Sequence, residues 1–197
     1  MQKEIDIHPY TPFISMDSTK LIIGTIPPSR FCKMGKFYAS DVEFYYGSRD
    51  NHFWDILSDV FNIPLTRGTS TSITERKRIL ESNKIAVCDI LVKAKRKNED
   101  SASDSDLIIE DNSHFLDLEL LLKNHPNITT LIYTSLKVKS FIYQKTKREH
   151  RKNDNNLTLC LNNKQPPYEV IILPSPSRRN TMDYASKVEE YRKVLSN

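Results

Sequence analysis

Glycine is scarce in this chain, with four in 197 residues, and neither GxGxxG nor GxxxxGK[ST] occurs. The backbone cradle that mononucleotide and dinucleotide cofactors require has no support, and no cofactor is expected. Cysteine is nearly as rare. Cys32, Cys88 and Cys160 lie far apart, without a CxxC or a paired His spacing. That excludes a disulfide framework, a structural zinc site and the four thiolates of an iron–sulfur cluster; free, mostly buried thiols and no metal are expected. No apolar run reaches the ~18–20 residues of a membrane span. The N-terminal MQKEIDIHPY has no signal-peptide h-region, so a non-membrane, cytoplasmic protein is expected. A GxSxG elbow is also missing, which removes the main argument for an α/β hydrolase.

What is present is ordinary for a globular protein: 38% hydrophobic residues, 9% aromatics and a net charge of +4. The length suits one domain, residues 1–197, with a real core. Net charge alone says little about partners. Its distribution says more, because Lys137–Lys152 carries seven Lys/Arg against one Glu. Such a segment reads as a solvated helix face, with a phosphate-contacting surface as the sharper alternative. Its acidic counterweight, Asp100–Asp106, reads as a flexible surface loop.

Apolar runs alternate with helical patterns. Strands are expected at Lys20–Ile26, Lys84–Ile90, Ile128–Tyr133 and Glu169–Leu173. Helices are expected from Asn51 through Phe61, after Thr74, over Ser113–Lys123, from about Ser135 to Tyr143, and over Met182–Leu195. Lys145–Asn156 reads as a segment of low order. The alternation predicts an α/β fold: a three-layer α/β/α sandwich around a central, mainly parallel four-stranded sheet. In such sheets ligands bind outside the carboxyl ends of the strands. GTIPPSR and LPSPSRRN both fall there, so two distant loops are expected to share one rim.

Those loops offer the chemistry of phosphate binding. Ser29–Arg30 in one, and Ser175, Ser177, Arg178 and Arg179 in the other, supply hydroxyls, turn amides and guanidinium groups. Between them lies FYYGSRDNHFW, Phe44 to Trp54. A tyrosine ring there could stack on an unpaired base, an interaction worth ~1–3 kcal/mol. Asn51 stands where a helix N-cap belongs, which does not prevent it from projecting into a cleft. His52 has no partner at ligand spacing and reads as structural.

Four blocks in order then resemble the uracil-DNA glycosylase superfamily, closest to its hypoxanthine-DNA glycosylase branch. GTIPPS looks like the first motif, FYYGSRDNHFWDIL like the aromatic–loop–Asn block, NKIAVCDIL like the strand ending in Asp before a basic turn and a DSD-like acid loop, and ILPSPSRRN like the second motif. The resemblance covers roughly Leu21 to Leu195. It implies Asn51 as the catalytic candidate and Tyr46 as the aromatic that stacks on the extruded base. Gly24, Thr25, Ile26, Pro27 and Thr134 would line the base pocket. Ser29, Arg30, Ser175, Ser177, Arg178, Arg179 and Asn180 would meet DNA. Several positions depart from the pattern. Ile26 and Leu173 replace polar residues of other branches, as the hypoxanthine-type branch also does. Tyr133–Thr134–Ser135 stands in place of a strand-end Asn–Gly, and Arg178–Arg179 in place of Pro–Ala.

The resemblance implies a monofunctional enzyme, acting as a monomer on DNA without a metal, that flips out a deaminated base such as uracil or hypoxanthine and leaves an abasic site. No lysine is placed as a Schiff-base nucleophile, so no lyase activity is expected. Two alternatives remain open: excision of an enlarged modified base of viral DNA, and a non-catalytic DNA-binding or base-sensing protein. Ile26 and Leu173 favour the last; Tyr46 and Asn51 favour catalysis.

Overall fold

Leu21, Ile22 and Ile23 are fully buried, and their neighbours in the strand point alternately to opposite faces. Leu21 and Ile23 join one core cluster and Ile22 the other. Ala86 and Cys88 against Ile85 and Val87 repeat the pattern, as do Leu131 and Tyr133 against Ile132. Continuous apolar strands of this kind need cover on both sides.

The computed structural model describes residues 4–33, 37–98, 101–153, 156–161, 163–164 and 166–196. Its elements run β1 (Ile5–Ile7), β2 (Lys20–Gly24), α1 (Ser29–Cys32), α2 (Phe53–Phe61), α3 (Ser72–Ser82), β3 (Ile85–Asp89), β4 (Lys93–Arg96), β5 (Leu107–Ile108), α4 (Leu118–Asn124), β6 (Thr130–Tyr133), α5 (Leu136–Thr146), β7 (His150–Asn153), β8 (Asn156–Leu159), β9 (Tyr168–Ile172) and α6 (Tyr184–Leu195). The main sheet has the order β3-β2-β6-β9-β8-β7. Its first four strands are parallel, while β8 and β7 extend it antiparallel. Helices α4 and α5 bury Leu118, Leu122, Val138, Phe141 and Ile142 on one face; α2, α3 and α6 bury Phe53, Trp54, Leu57, Leu80 and Tyr191 on the other. Each such side chain contributes about 1.5–3 kcal/mol on burial. The result is the expected three-layer sandwich with a mostly parallel centre. A small antiparallel sheet, β1-β4-β5, lies apart from it.

Several boundaries differ from expectation. Residues 145–153 and 156 are not of low order: α5 continues to Thr146, stops at Lys147 in the left-handed region, and β7 pairs with β8. Residues 154 and 155, part of the same expectation, lie outside the described residues. Phenol and imidazole fix this hairpin to the sheet, Tyr133 Oη to His150 Nε2 at 3.0 Å. The helix expected over Ser113–Lys123 begins only at Leu118, because Asp117 accepts from Leu120 N and caps it there. Thr74 lies inside α3, which starts at Ser72. All three cysteines are free, with Cys88 buried and the other two half-buried.

Candidate active site

The first rim loop leaves β2 at Gly24, which pairs with Asp89 at the end of β3. A Cβ on Gly24 would run into Asp89 Oδ1 and lie 2.5 Å from Tyr46 Oη. Only glycine lets those two side chains meet over the strand end. Thr25 and Gly24 carbonyls accept from Leu91 N (3.0 Å) and Ile90 N (2.9 Å), so the loop is tied to the neighbouring strand. From below, Arg96 donates to Pro27 O at 2.9 Å and to Asp6 at 2.7 Å, both charges being almost wholly buried. Ser29 donates to the other Asp6 oxygen at 2.6 Å. The network is paired and hydrogen-bonded, which makes a buried ion pair tolerable.

The second wall is the loop before α2. A Cβ on Gly47 would overlap the carbonyl of Val42, whose N–H donates to Gly47 O at 2.8 Å. Tyr46 is held at φ +54°, a left-handed conformation that a bulky side chain adopts only when its surroundings dictate it. Its ring stacks on Phe53 with centroids 4.1 Å apart and 23° between planes, and its hydroxyl meets Thr134 Oγ1 at 3.5 Å. Burial, reinforced by the Asp89 carboxylate, pushes its phenol well above the usual range, so it stays neutral. Tyr45 goes the other way, into the core, and its carbonyl accepts from the Trp54 indole at 2.7 Å.

Asn51 joins this wall to the third. Asn51 pairs as an isolated bridge with Ser177, His52 N donates to Pro176 O at 2.9 Å, and Arg178 N to Asp50 O at 3.2 Å. The loop before α2 and the loop after β9 are thus laced together. Asn51 stands one residue before the N-cap, His52, and its Oδ1 accepts from Phe53 N, the first amide of α2, at 2.8 Å. That bond engages only the oxygen; the Nδ2 protons have no partner among the described residues and remain donors. In the loop after β9, Ser175 and Ser177 accept turn amides from Ser177 and Arg179, which leaves their hydroxyl protons to donate outward. From α6, Tyr191 donates to Pro174 O (3.0 Å), and buried Lys187 reaches Ser177 O (3.1 Å) and Asn180 O (3.2 Å). Burial lowers the Lys187 pKa.

These walls enclose a cavity of about 580 Å³ at the carboxyl rim of the sheet. Of the residues expected from sequence, Thr25, Ile26, Pro27, Tyr46, Asn51, Thr134, Ser175, Ser177, Arg178, Arg179 and Asn180 line it. Gly24 lies directly beneath. Ser29 and Arg30 do not reach it. Ser29 is buried on Asp6, and Arg30 donates to Asp41, Ser48 and Asp50 while covering the Tyr38 ring. Both brace the loops instead. Leu173, at 3% exposure, is core on the α6 side.

Other groups in the cavity carry no site expectation from the sequence. Asp89 lines it while bonded to His8 Nε2 at 2.9 Å. The acidic segment is no free surface loop: residues 101–106 fold through a 3-10 turn at Asp104–Asp106, and Ala102, Ser103, Asp104 and Ser105 line the cavity. Asp100 lies outside the described residues. Asp104 Oδ1 accepts from Thr25 Oγ1 at 2.8 Å, and burial raises the Asp104 pKa. An aspartate between serines carries no periodic signal, so spacing could not place it. A second, open depression of about 540 Å³ adjoins, lined by Ala39, Ser40, Arg49, Asp50, Arg67 and Arg178. Arg67 binds Asp55 at 3.0 Å.

No protein-family model matches the chain, and no curated protein does. Among solved structures it is similar to the solution structure of a Methanosarcina acetivorans protein provisionally described as a uracil DNA glycosylase. The two share 16% identity and a TM-score of 0.65 over 98% of this chain and 97% of that one. At that identity the likeness establishes a common fold. No helix among the described residues is long and apolar enough to cross a membrane.

Proposed function

We propose that the chain is a DNA glycosylase that extrudes one nucleotide into the rim cavity and hydrolyses its N-glycosidic bond, leaving an abasic site. The observation that carries this reading is the convergence of the Tyr46 ring, the Asn51 amide and the Ser175–Asn180 loop on one cavity. The described fold of the Methanosarcina protein supports it. Tyr46, backed by Phe53, offers a rigid ring for base stacking. The hydroxyls of Ser175 and Ser177 and the exposed Arg178 and Arg179 suit the phosphates on either side of an extruded nucleotide. As the bond breaks, negative charge develops on the base and positive charge on the sugar. The uncharged Asn51 amide can donate to the departing base, and one positioned donor of this kind is worth ~3 kcal/mol.

The substrate proposed is a deaminated base of the hypoxanthine or uracil type. Ile26 in the cavity and Leu173 in the core repeat that branch's apolar substitutions. The test is single-turnover excision from single- and double-stranded oligonucleotides carrying uracil, hypoxanthine, xanthine, or hydroxymethylated and glucosylated bases, read as alkali-labile breaks. Cleavage that Asn51→Ala abolishes names the substrate. Cleavage only of the enlarged bases moves the assignment to modified viral DNA. Tight binding with no cleavage anywhere overturns the enzyme reading in favour of a DNA-binding protein.

A further inference from the structure

Resting on the glycosylase reading, we propose that Asp104 is a catalytic residue of this site: the carboxylate that takes the proton from the attacking water, held in place by the Thr25 hydroxyl. The first rim loop itself supplies no acid or amide to the cavity, since its lining residues are Thr25, Ile26, Pro27 and Pro28. Asn51 is an uncharged amide with one lone pair of its oxygen engaged by the Phe53 amide, so it is too weak a base to take a proton from a water. Three carboxylates line the cavity, and one of them, Asp50, is exposed and paired with Arg30 at 3.3 Å. Asp89 has its Oδ2 bonded to His8 Nε2, and its Oδ1 lies against the Gly24 position near the Tyr46 hydroxyl. Asp104 has one oxygen on Thr25, and the other accepts no hydrogen bond among the described residues. It enters the cavity from a loop that no apolar packing requires, on three small neighbours, Ala102, Ser103 and Ser105.

The chemistry closes with the groups present. The water oxygen bonds to C1′ as the C1′–N bond breaks, and that bond's electron pair leaves with the base. Asp104 receives the water proton and delivers it to the departing base, which restores the carboxylate. A carboxylate here also opposes the positive charge that builds on the sugar. The surroundings make it a better proton acceptor than an exposed aspartate. Burial and the Asp89 charge raise the Asp104 pKa, while the Thr25 hydroxyl, Arg96 and Lys137 lower it. Thr25 acts through Asp104 and is a positioning residue.

The experiment is single-turnover excision by the full chain over about pH 5 to 9, on whichever oligonucleotide the wild type cleaves, with DNA affinity and thermal midpoint measured alongside. Asp104→Asn is expected to slow excision about 10²–10³-fold at unchanged affinity and midpoint, and to remove the acid limb of the pH profile. Thr25→Val is expected to retain most of the rate at high pH and to move that limb upward, because the carboxylate loses a stabilising donor. Asp104→Asn within about threefold of wild type, or a loss matched by weaker DNA binding, overturns the role of Asp104 and leaves the glycosylase reading intact. A wild type that cleaves no member of the panel overturns both.

Discussion

Asn51 holds two positions at once, and substitution separates them. Its oxygen satisfies the first amide of α2 and its Nδ2 protons have no partner among the described residues. Asn51→Ala removes both, so a stability loss of about 1 kcal/mol accompanies an excision loss of at least ~10²-fold, with duplex affinity kept. Asn51→Asp keeps an accepting oxygen but has no amide donor. Its thermal midpoint should match wild type while excision still collapses; full activity in Asn51→Asp would reduce Asn51 to a structural acceptor. Gly24 presents a different residue-scale case. A methyl group there displaces Asp89, Tyr46 or both. Asp89 is fastened to His8 and Tyr46 is stacked on Phe53, so neither yields freely. Gly24→Ala is expected to destabilise by about 1–3 kcal/mol and to weaken binding to a duplex with an extrudable base. Calorimetry together with lesion-duplex titration would detect an alanine that is accommodated without either effect.

At the scale of elements, the loop after β9 depends on α6. Lys187 is 1% exposed and holds two loop carbonyls with its ammonium. Lys187→Met fills the space but strands both acceptors, which costs about 1–3 kcal/mol and loosens the turn that carries Arg178. DNA affinity should fall several-fold, and a variant binding as wild type would show the turn to be self-supporting. The β7–β8 hairpin has its own signature. Burial, aided by Lys139, lowers His150 to about 4. The unfolded chain, with an ordinary imidazole near 6.5, therefore binds more protons between those values. Stability is full above about pH 6.5 and declines as pH falls toward about 4; water access to the half-buried ring limits the loss to about 1 kcal/mol. His150→Gln, melted at both ends of that window, should lose this slope. These elements also mark what the sequence disclosed. The four parallel strands were legible because Leu21–Ile23, Ile85–Cys88 and their counterparts are apolar on both faces. The hairpin was not, because β7 is HRKN, an edge strand whose polar side chains carry no alternation. Tyr46 and Asn51 stood out through the resemblance of FYYGSRDNHFWDIL to a family block. Asp104 did not, since only the folded course of residues 101–106 brings it to the cavity. Ser29 and Arg30 looked like phosphate donors by composition, yet Asp6 and Asp41 are their partners, and nothing in the spacing pairs residues that distant.

For the whole molecule, a net charge of +4 is too small to direct DNA by itself, so under the proposed function binding depends on where the cations stand. Two groups compete for that role. Arg178 and Arg179 are exposed at the cavity mouth, and Arg49 and Arg67 line the depression beside Arg178. Lys147, Arg148, Arg151 and Lys152 are exposed too, but they follow the far end of α5, whose first turn adjoins the cavity at Ser135. Eleven helical residues separate the two ends, a distance of about 16 Å. A duplex seated on the cavity mouth takes its counterion release from the first group. Each phosphate contact contributes about −0.9 to the slope of log affinity against log salt. Arg178→Ala with Arg179→Ala should flatten that slope by up to about 2, whereas Arg151→Ala with Lys152→Ala should leave it unchanged. Titration of an undamaged duplex across a salt series decides between them without requiring catalysis. The reverse pattern would move the DNA path to the hairpin edge of the sheet, where an extruded base could not reach Tyr46.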